Sequence, residues 1–149
     1  MHPINHHPVI QFYNHNNIFG HTIGMTFELL EPGKVVYKMN VEKPVLAQPY
    51  AAHGGAIAAM MDATLGVAAL SVVCTDNQVV STVELSTNFL KPACLGDELT
   101  GEAVMIHRGK RLLYFEGKIK NQHGEIIAAG KGTFNAYPIA KAMEAQSKR

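Results

Sequence analysis

The segment from His53 to Val73 reads HGGAIAAMMDATLGVAALSVV and predicts one long buried helix. It opens with two glycines, continues as a nearly unbroken run of apolar residues, and carries a single charge at Asp62. At about 1.5 Å per residue the helix would span about 30 Å, and its apolar character on every face indicates that protein surrounds it. A carboxylate inside such a helix costs free energy unless it is paired, hydrated or used, so Asp62 is the first candidate functional residue.

Two other interpretations of this segment stay open on its residues alone. Its length would let it span a membrane, but a central aspartate costs about 2.5 to 3.5 kcal/mol there, which disfavours that interpretation. Alternatively, Asp62 pairs with a neighbouring group and has a purely structural role. The remainder of the chain has to distinguish these cases.

Composition limits the classes of function. The chain has 149 residues, 47% of them hydrophobic, which predicts one domain over 1–149 with an N-terminal arm (1–20) and a C-terminal tail (139–149). The net charge is only +1 and the basic residues are dispersed, which excludes a broad nucleic-acid-binding surface. We expect no membrane association.

The cysteines and histidines give no sign of a metal site. Cys74 and Cys94 lack metal-ligand spacing, and two cysteines in a chain of this size are typical of a reduced intracellular protein. The first twenty residues contain several histidines but no helical ligand spacing, and they lack the pattern of a secretory signal. We therefore expect a cytoplasmic protein whose arm is either solvated or forms a short helix over 10–13 on the domain.

Alternating polar and apolar residues predict six strands, at 21–31, 34–42, 78–90, 98–108, 111–121 and 125–136. The segment 43–52 contains two prolines and is predicted as a loop that leads into the helix. One sheet must curl around the helix to cover its circumference, which predicts an α+β fold with an antiparallel sheet wrapped around one central helix. In the strand at 78–90, the side that carries Val79, Val83, Leu85 and Phe89 is expected to be buried.

Several motifs in this order resemble a known family. A helix that opens with His53-Gly54-Gly55 and carries Asp62 is followed by a strand ending in Phe89-Leu90-Lys91-Pro92-Ala93 and then by Leu95-Gly96-Asp97. Over roughly 21–137 this pattern resembles the hotdog-fold acyl-CoA thioesterases of the 4-hydroxybenzoyl-CoA thioesterase superfamily, in their phenylacetyl-CoA thioesterase-like branch. The resemblance implies a dimer with a continuous sheet, often paired into a tetramer, and thioester hydrolysis without metal or cofactor, coenzyme A being part of the substrate.

The resemblance also implies roles for individual residues. The glycine matching Gly54 binds the thioester carbonyl oxygen, the acidic residue matching Asp62 acts as general base or nucleophile, and Thr82 is the best match for the hydroxyl that supports the attacking water. The family often carries an amide shortly before the helix. Ala47 stands six positions before His53, and Gln48 is the nearest amide.

The residues themselves point to the same chemistry. The first turn of a helix has unpaired N–H groups, and glycine allows close approach, so Gly54 and Gly55 suit an oxyanion site, although close helix packing would also explain them. Gly54 and Asp62 are eight residues apart, about 12 Å along one helix. Because both must reach one reacting centre, two antiparallel copies in a symmetric dimer are predicted to share each site.

Other candidates are less specific. His53 is either a base or, more commonly for this position, a hydrogen-bonding element at the helix start. Cations predicted to hold the phosphates of coenzyme A in one short region are Lys91, Arg108, Lys110 and Arg111, although 107–111 also suits a solvated turn.

The resulting prediction is a thioesterase that hydrolyses a short-chain, medium-chain or aryl acyl-CoA. Two alternatives remain at this point: a non-catalytic acyl-CoA-binding or regulatory module, and a hydratase or dehydratase of the same fold.

Overall fold

Helix α3, Gly54–Val73, occupies the centre of the computed structural model, which describes residues 1–148. His53 caps its start by accepting a hydrogen bond from the Gly55 N–H at Nδ1 (2.7 Å). The side chains of Met60, Met61 and Leu65 are fully buried. The helix, extended to Asp76, is apolar enough to cross a membrane, with a mean hydropathy of 1.9, but 72% of that apolar window is buried inside the fold.

The other elements surround this helix. In chain order they are α1 (Pro8–Asn16), α2 (Ile18–Thr22), β1 (Thr26–Glu31), β2 (Lys34–Asn40), β3 (Leu46–Gln48), β4 (Ala51–Ala52), β5 (Gln78–Phe89), β6 (Glu98–Arg108), β7 (Leu112–Lys120), β8 (Ile126–Pro138) and α4 (Ile139–Ser147). Six strands form one antiparallel sheet in the order β1-β2-β6-β7-β8-β5, and β3 pairs with β4 separately. The sheet packs against α3 along its length, which confirms the predicted hotdog arrangement.

A row of small residues in the sheet lets α3 approach closely. Four residues lie side by side across β6, β7, β8 and β5: Ala103, Gly117, Gly130 and Thr87. A Cβ atom on Gly117 would come within 2.7 Å of Leu65, and one on Gly130 within 2.9 Å of Met61. The two helix side chains therefore rest directly on the sheet backbone, and this small-residue row fixes the depth of α3.

One face of α3 is left uncovered by the chain. Its members recur at helical spacing, and we call them the open stripe: Gly55, Ala59, Asp62, Ala63 and Gly66 are half-buried or exposed. The expectation that protein surrounds every face of the helix is therefore wrong for a single chain. The sheet covers the remaining circumference and ends at its edge strand β5, beside the stripe.

The predicted strand bounds agree with the structure to one or two residues, except at the first strand. There α2 takes up Ile18–Thr22, because Asn17 caps it by accepting the Gly20 N–H (3.0 Å), and Gly24 at φ +74° turns the chain before β1. The prediction that a strand begins at His21 is wrong. The predicted loop at 43–52 also contains the short β3–β4 pair.

The predicted burial of one side of β5 is wrong in part. A register shift between Thr82 and Glu84 interrupts the alternation of the strand against β8. Val83 is 61% exposed and Phe89 is 56% exposed. An edge strand with a bulge and exposed apolar side chains leaves surface that the chain alone does not cover.

The N-terminal arm is ordered and packs onto the domain. Ile4 and Ile10 are buried, and the Asn5 side chain makes two buried hydrogen bonds with the backbone of Leu29 in β1. Its Nδ2 donates to the Leu29 carbonyl (2.7 Å), and its Oδ1 accepts from the Leu29 N–H (2.8 Å). The arm is therefore attached through one side chain that completes the edge of β1, and α1 extends well beyond the predicted 10–13.

Replacement of Asn5 should loosen this attachment. Asn5→Ala leaves two buried backbone groups of Leu29 unpaired, so we expect the free energy of unfolding to fall by about 1 to 3 kcal/mol. Urea denaturation measures this change. Asn14→Ala, at an exposed position of α1, is the matched control, and an equal effect of both variants would contradict the proposed attachment.

Candidate active site

Asp62 and Thr82 are in direct contact although twenty residues separate them. The Thr82 hydroxyl on β5 donates a hydrogen bond to Oδ1 of Asp62 on α3, at 2.8 Å. Asp62 is half-buried in the open stripe, and Thr82 is exposed on the edge strand. The carboxylate is therefore oriented by a hydroxyl and stays accessible to a water or a substrate, as a general base or nucleophile must be.

This pair lies at one end of a cavity of about 410 Å³, which we call the acyl groove. Its walls come from α3 (Gly66 and Leu70), β5 (Val80 and Thr82) and α1 (Phe12 and Tyr13). Apart from Asp62, no charged side chain lines it within residues 1–148. A mostly apolar cavity with one ionisable group at its end is the usual form of a site that holds an apolar substrate next to a catalytic group.

The start of α3 presents one free N–H. Within the described chain, the Gly54 N–H has no hydrogen-bond partner, whereas the Gly55 N–H donates to Nδ1 of His53. The Gly55 N–H is thus engaged within the chain, and its predicted contribution to an oxyanion site stays a prediction. Since Nδ1 of His53 accepts this bond, the ring acts as a helix cap, the hydrogen-bonding role foreseen for it.

The structure keeps Gly54 and Asp62 apart within one chain. Gly54 lines a separate recess of about 260 Å³ together with Phe89, Lys91 and Pro92. Eight helical residues place the two groups about 12 Å apart, too far for both to contact one reacting carbonyl. Gln48 lies on β3 at the same end of the helix as Gly54, is exposed, and does not line the acyl groove.

The predicted cluster of cations is wrong in its placement. Lys91 lies in the recess of Gly54, near the start of α3, where it pairs with Glu125 (2.6 Å). Arg108 and Lys110 line a different recess beside Val73, at the other end of α3, about 30 Å away along the helix. Arg108 pairs with Asp76 there (3.1 Å), and Arg111 is exposed in the same hairpin. Lys91 is separated from the cations of the hairpin because β5, which ends next to Lys91, runs the full length of the sheet.

The ion pair between Lys91 and Glu125 also changes the pKa of Glu125. The Lys91 ammonium, as hydrogen-bond donor and charge, lowers the pKa of the Glu125 carboxyl, with a further contribution from the Asn121 amide. Both partners are exposed, so the pair contributes little to stability.

Two tyrosines beside the acyl groove were not identified from the sequence. The Nδ2 of Asn17 lies within 3.3 Å of the Tyr13 hydroxyl and 3.4 Å of the Tyr37 hydroxyl. Burial raises the pKa of Tyr13, and the charge of Asp62 adds to this rise. Burial also raises the pKa of Tyr37. Both phenols therefore stay neutral, and the signal that could have revealed Tyr13 is the helix start at His7-Pro8, which places it on the inner face of α1.

Two of the N-terminal histidines have local structural roles. His2 and His7 accept hydrogen bonds at Nδ1 from the N–H groups of Ile4 (3.1 Å) and Val9 (3.3 Å), each at the start of a helical turn. In residues 1–148, no three side chains of His, Cys, Asp or Glu lie close enough together to hold a metal ion.

A sequence model described as the thioesterase superfamily matches residues 51–128, which is more than half of the chain. The chain belongs to the thioesterase superfamily. The matched segment contains α3 and β5, and with them Gly54, Asp62 and Thr82. The resemblance noted from the sequence is therefore confirmed, and so is the assignment to the thioesterase class of enzymes.

Relatives with this assignment are known in several organisms. Acyl-coenzyme A thioesterase 13 of Homo sapiens is 28% identical over 104 residues, which cover 68% of this chain and 72% of that protein. The structure of PaaI from Escherichia coli, encoded in the phenylacetic acid degradation operon, has a TM-score of 0.78 at 23% identity and covers 85% of this chain and 89% of that chain.

A second solved structure is described as a hypothetical thioesterase protein with coenzyme A from Streptococcus pneumoniae TIGR4. Its TM-score is 0.76 at 23% identity, and the match covers 87% of this chain and 97% of that chain. At this identity, both solved structures establish that this thioesterase superfamily member shares their fold. The matched family region begins at residue 51, so α1 and its wall of the acyl groove lie outside it.

Proposed function

We propose that this thioesterase hydrolyses an apolar short-chain, medium-chain or aryl acyl-CoA to the free acid and coenzyme A. The observation that carries the proposal is the 2.8 Å contact between Thr82 and the accessible carboxylate of Asp62, at one end of a mostly apolar groove. The names of the relatives, acyl-coenzyme A thioesterase 13 among them, support an acyl-CoA as the substrate class.

In the proposed reaction, Asp62 removes a proton from a water as the water oxygen attacks the thioester carbonyl. The C–O bond forms, and the carbonyl electron pair moves to the oxygen, which accepts a hydrogen bond from the Gly54 N–H. Collapse of this intermediate breaks the C–S bond, and the proton held by Asp62 passes to the leaving thiolate. The alternative route is direct attack by Asp62, in which the C–O bond of a mixed anhydride forms, the C–S bond breaks and coenzyme A leaves as the thiolate. Water then cleaves the anhydride, which restores the Asp62 carboxylate and releases the acid, and a proton passes to the thiolate.

A homodimer would complete the site. Because Gly54 and Asp62 are about 12 Å apart on one helix, we propose that Gly54 of one copy serves Asp62 of the other. The open stripe and the exposed apolar residues of edge strand β5 offer the surface for an antiparallel partner. Two equivalent sites per dimer follow from the two-fold symmetry, and two such dimers would form the tetramer that the family resemblance implies.

The hairpin between β6 and β7 supplies the proposed contacts to the phosphates of coenzyme A. Arg108 and Lys110 line a recess at its tip, with Arg111 next to it in the chain. In an antiparallel dimer, Lys91 and Gln48 of one copy approach Asp62 of the other copy, since they lie at the same helix end as Gly54. These residues would therefore contribute to binding across the interface rather than within one chain.

The direct test is thiol release from a panel of acetyl-, hexanoyl-, octanoyl-, palmitoyl- and phenylacetyl-CoA. We expect turnover of at least one apolar member. Absence of thiol release from every member would overturn the hydrolase assignment and leave a binding module as the remaining interpretation.

Thr82 offers a graded test of the same site. Thr82→Ala removes a hydrogen bond to a charged group, which contributes about 1.5 to 3 kcal/mol, so we expect kcat to fall by about tenfold or more. Thr82→Ser keeps the hydroxyl and should retain most of the activity. The two variants are compared by steady-state thiol release, and equal losses in both would show that the methyl group of Thr82, not its hydrogen bond, is what matters.

A further inference from the structure

The acyl groove has a direction. It begins at Asp62 and follows α3 to Leu70, eight residues further, which is about 12 Å. Beyond the Asp62–Thr82 pair, its walls are formed mainly by apolar side chains, among them Val79, Val80 and Phe134. A thioester placed with its carbonyl at Asp62 can therefore extend its acyl group along the helix without meeting another charge.

Gly66 stands halfway along this path, and the fold of the chain does not require a glycine there. It lies in the middle of a regular helix without a positive φ angle, and a Cβ atom would meet only the Phe134 ring at 3.5 Å, an ordinary contact. Alanine would favour the helix at such a position. The missing side chain has one visible effect, which is to widen the acyl groove beside Asp62.

Helix α1 closes the side of the groove opposite β5. Phe12 is 67% exposed yet lines the cavity, and Tyr13 lies deeper, near Asn17. The arm is attached at Asn5, and its helix lies outside residues 51–128, which the family model matches. Phe12 therefore places an exposed aromatic ring at the rim of a mostly apolar cavity, where an apolar ligand in that cavity would contact it.

We propose that the acyl group of the substrate lies between α1 and β5, from Asp62 past Gly66 to Leu70, and that Gly66 and Phe12 select apolar acyl groups of medium length. This inference rests on the proposed acyl-CoA hydrolysis. It assigns the choice of substrate to the N-terminal arm and to one helix position, while the reacting groups belong to the shared family region.

The test compares kcat/KM for octanoyl-CoA with kcat/KM for acetyl-CoA in the full-length protein. We expect Gly66→Val, which fills the path, to lower this ratio at least about tenfold, and Phe12→Ala to lower it about threefold or more. Phe19→Ala is the matched control, since Phe19 is 60% exposed on α2 and lies outside the groove. Unchanged ratios in both groove variants, with hydrolysis intact, would overturn the inference alone.

Binding measurements distinguish a failure of this inference from a failure of the proposed function. In the Asp62→Asn background, dissociation constants for octanoyl-CoA and acetyl-CoA are measured by calorimetry with and without Gly66→Val. If the wild type releases no thiol but Gly66→Val abolishes the preference for octanoyl-CoA, the groove assignment stands and hydrolysis fails. If the wild type releases no thiol and neither ligand binds, both proposals are overturned. Gel filtration checks that Gly66→Val forms the same oligomer as the wild type. If its oligomeric state differs, the inference is tested with Phe12→Ala alone.

Discussion

Asp62→Asn should lower kcat for thioester hydrolysis at least about 100-fold, the range for loss of a general acid–base group. The amide is nearly isosteric with the carboxylate, and its oxygen can still accept the hydrogen bond that Thr82 donates at 2.8 Å. It cannot take a proton from water or attack a carbonyl at neutral pH. The fold and the acyl groove should therefore persist while the chemical step is lost.

The measurement is thiol release under saturating acyl-CoA, with the melting temperature of each variant recorded in parallel. Glu144→Gln makes the same change of charge at an exposed position of α4, away from the groove, and should leave kcat unchanged. A residual activity of Asp62→Asn above about one tenth of the wild type would remove Asp62 from the chemical step. Its contact with Thr82 would then be structural.

Gly54→Pro should lower kcat by about 10²- to 10³-fold, the effect of losing one oxyanion donor. Proline has no N–H but is well tolerated at the first residue of a helix. The backbone before it is compatible, since His53 has φ −64° and ψ 134°, the extended conformation that precedes proline. The variant therefore removes the donor while it preserves the start of α3.

Gly54→Ala is the matched control for this change. Alanine keeps the N–H, and its Cβ would meet the Phe89 ring at 3.7 Å, an ordinary contact. Steady-state kinetics of both variants with one acyl-CoA compares them directly. If alanine and proline reduce kcat equally, the space above Gly54 is what matters and not its hydrogen bond.

Mixed dimers of Gly54→Pro and Asp62→Asn test whether the site is shared. If each site takes Gly54 from one copy and Asp62 from the other, a heterodimer has one site with both defects and one intact site. It should therefore recover about half the activity of the wild-type dimer. Co-expression with two different affinity tags isolates this heterodimer. Activity no higher than that of the more active parent homodimer would show that each site is built within one chain.

The central helix and most strands could be predicted because their signals are local. The run at 53–73 is apolar over its full length, and the strands alternate over nine or more residues in the meander. The first strand was predicted to start too early because the cap of α2 by Asn17 competes with the β-favouring residues around Ile23. At residues 18–22 the helix cap therefore determines the secondary structure, and the alternation of polar and apolar residues does not.

The site could be predicted where the family resemblance assigned its residues. Asp62 and Thr82 were identified together, and the structure brings them into contact. The placement of Lys91 failed, because the sequence shows the order of strand ends but not which end of the sheet each occupies. The wall of the acyl groove formed by α1 was also missed. The position of α1 depends on contacts between residues distant in sequence, such as the burial of Ile10 in the core.

The small-residue row under α3 also limits which substitutions preserve the position of Asp62. Met61 rests on Gly130, and the next residue in the chain is Asp62, so any side chain added to the row would lift the carboxylate away from Thr82. Positions on the open side of the helix, such as Gly66, have no such link to the sheet backbone. A substitution that changes the acyl groove can therefore leave the carboxylate in place, whereas one in the small-residue row disturbs catalysis from residues that do not line the groove.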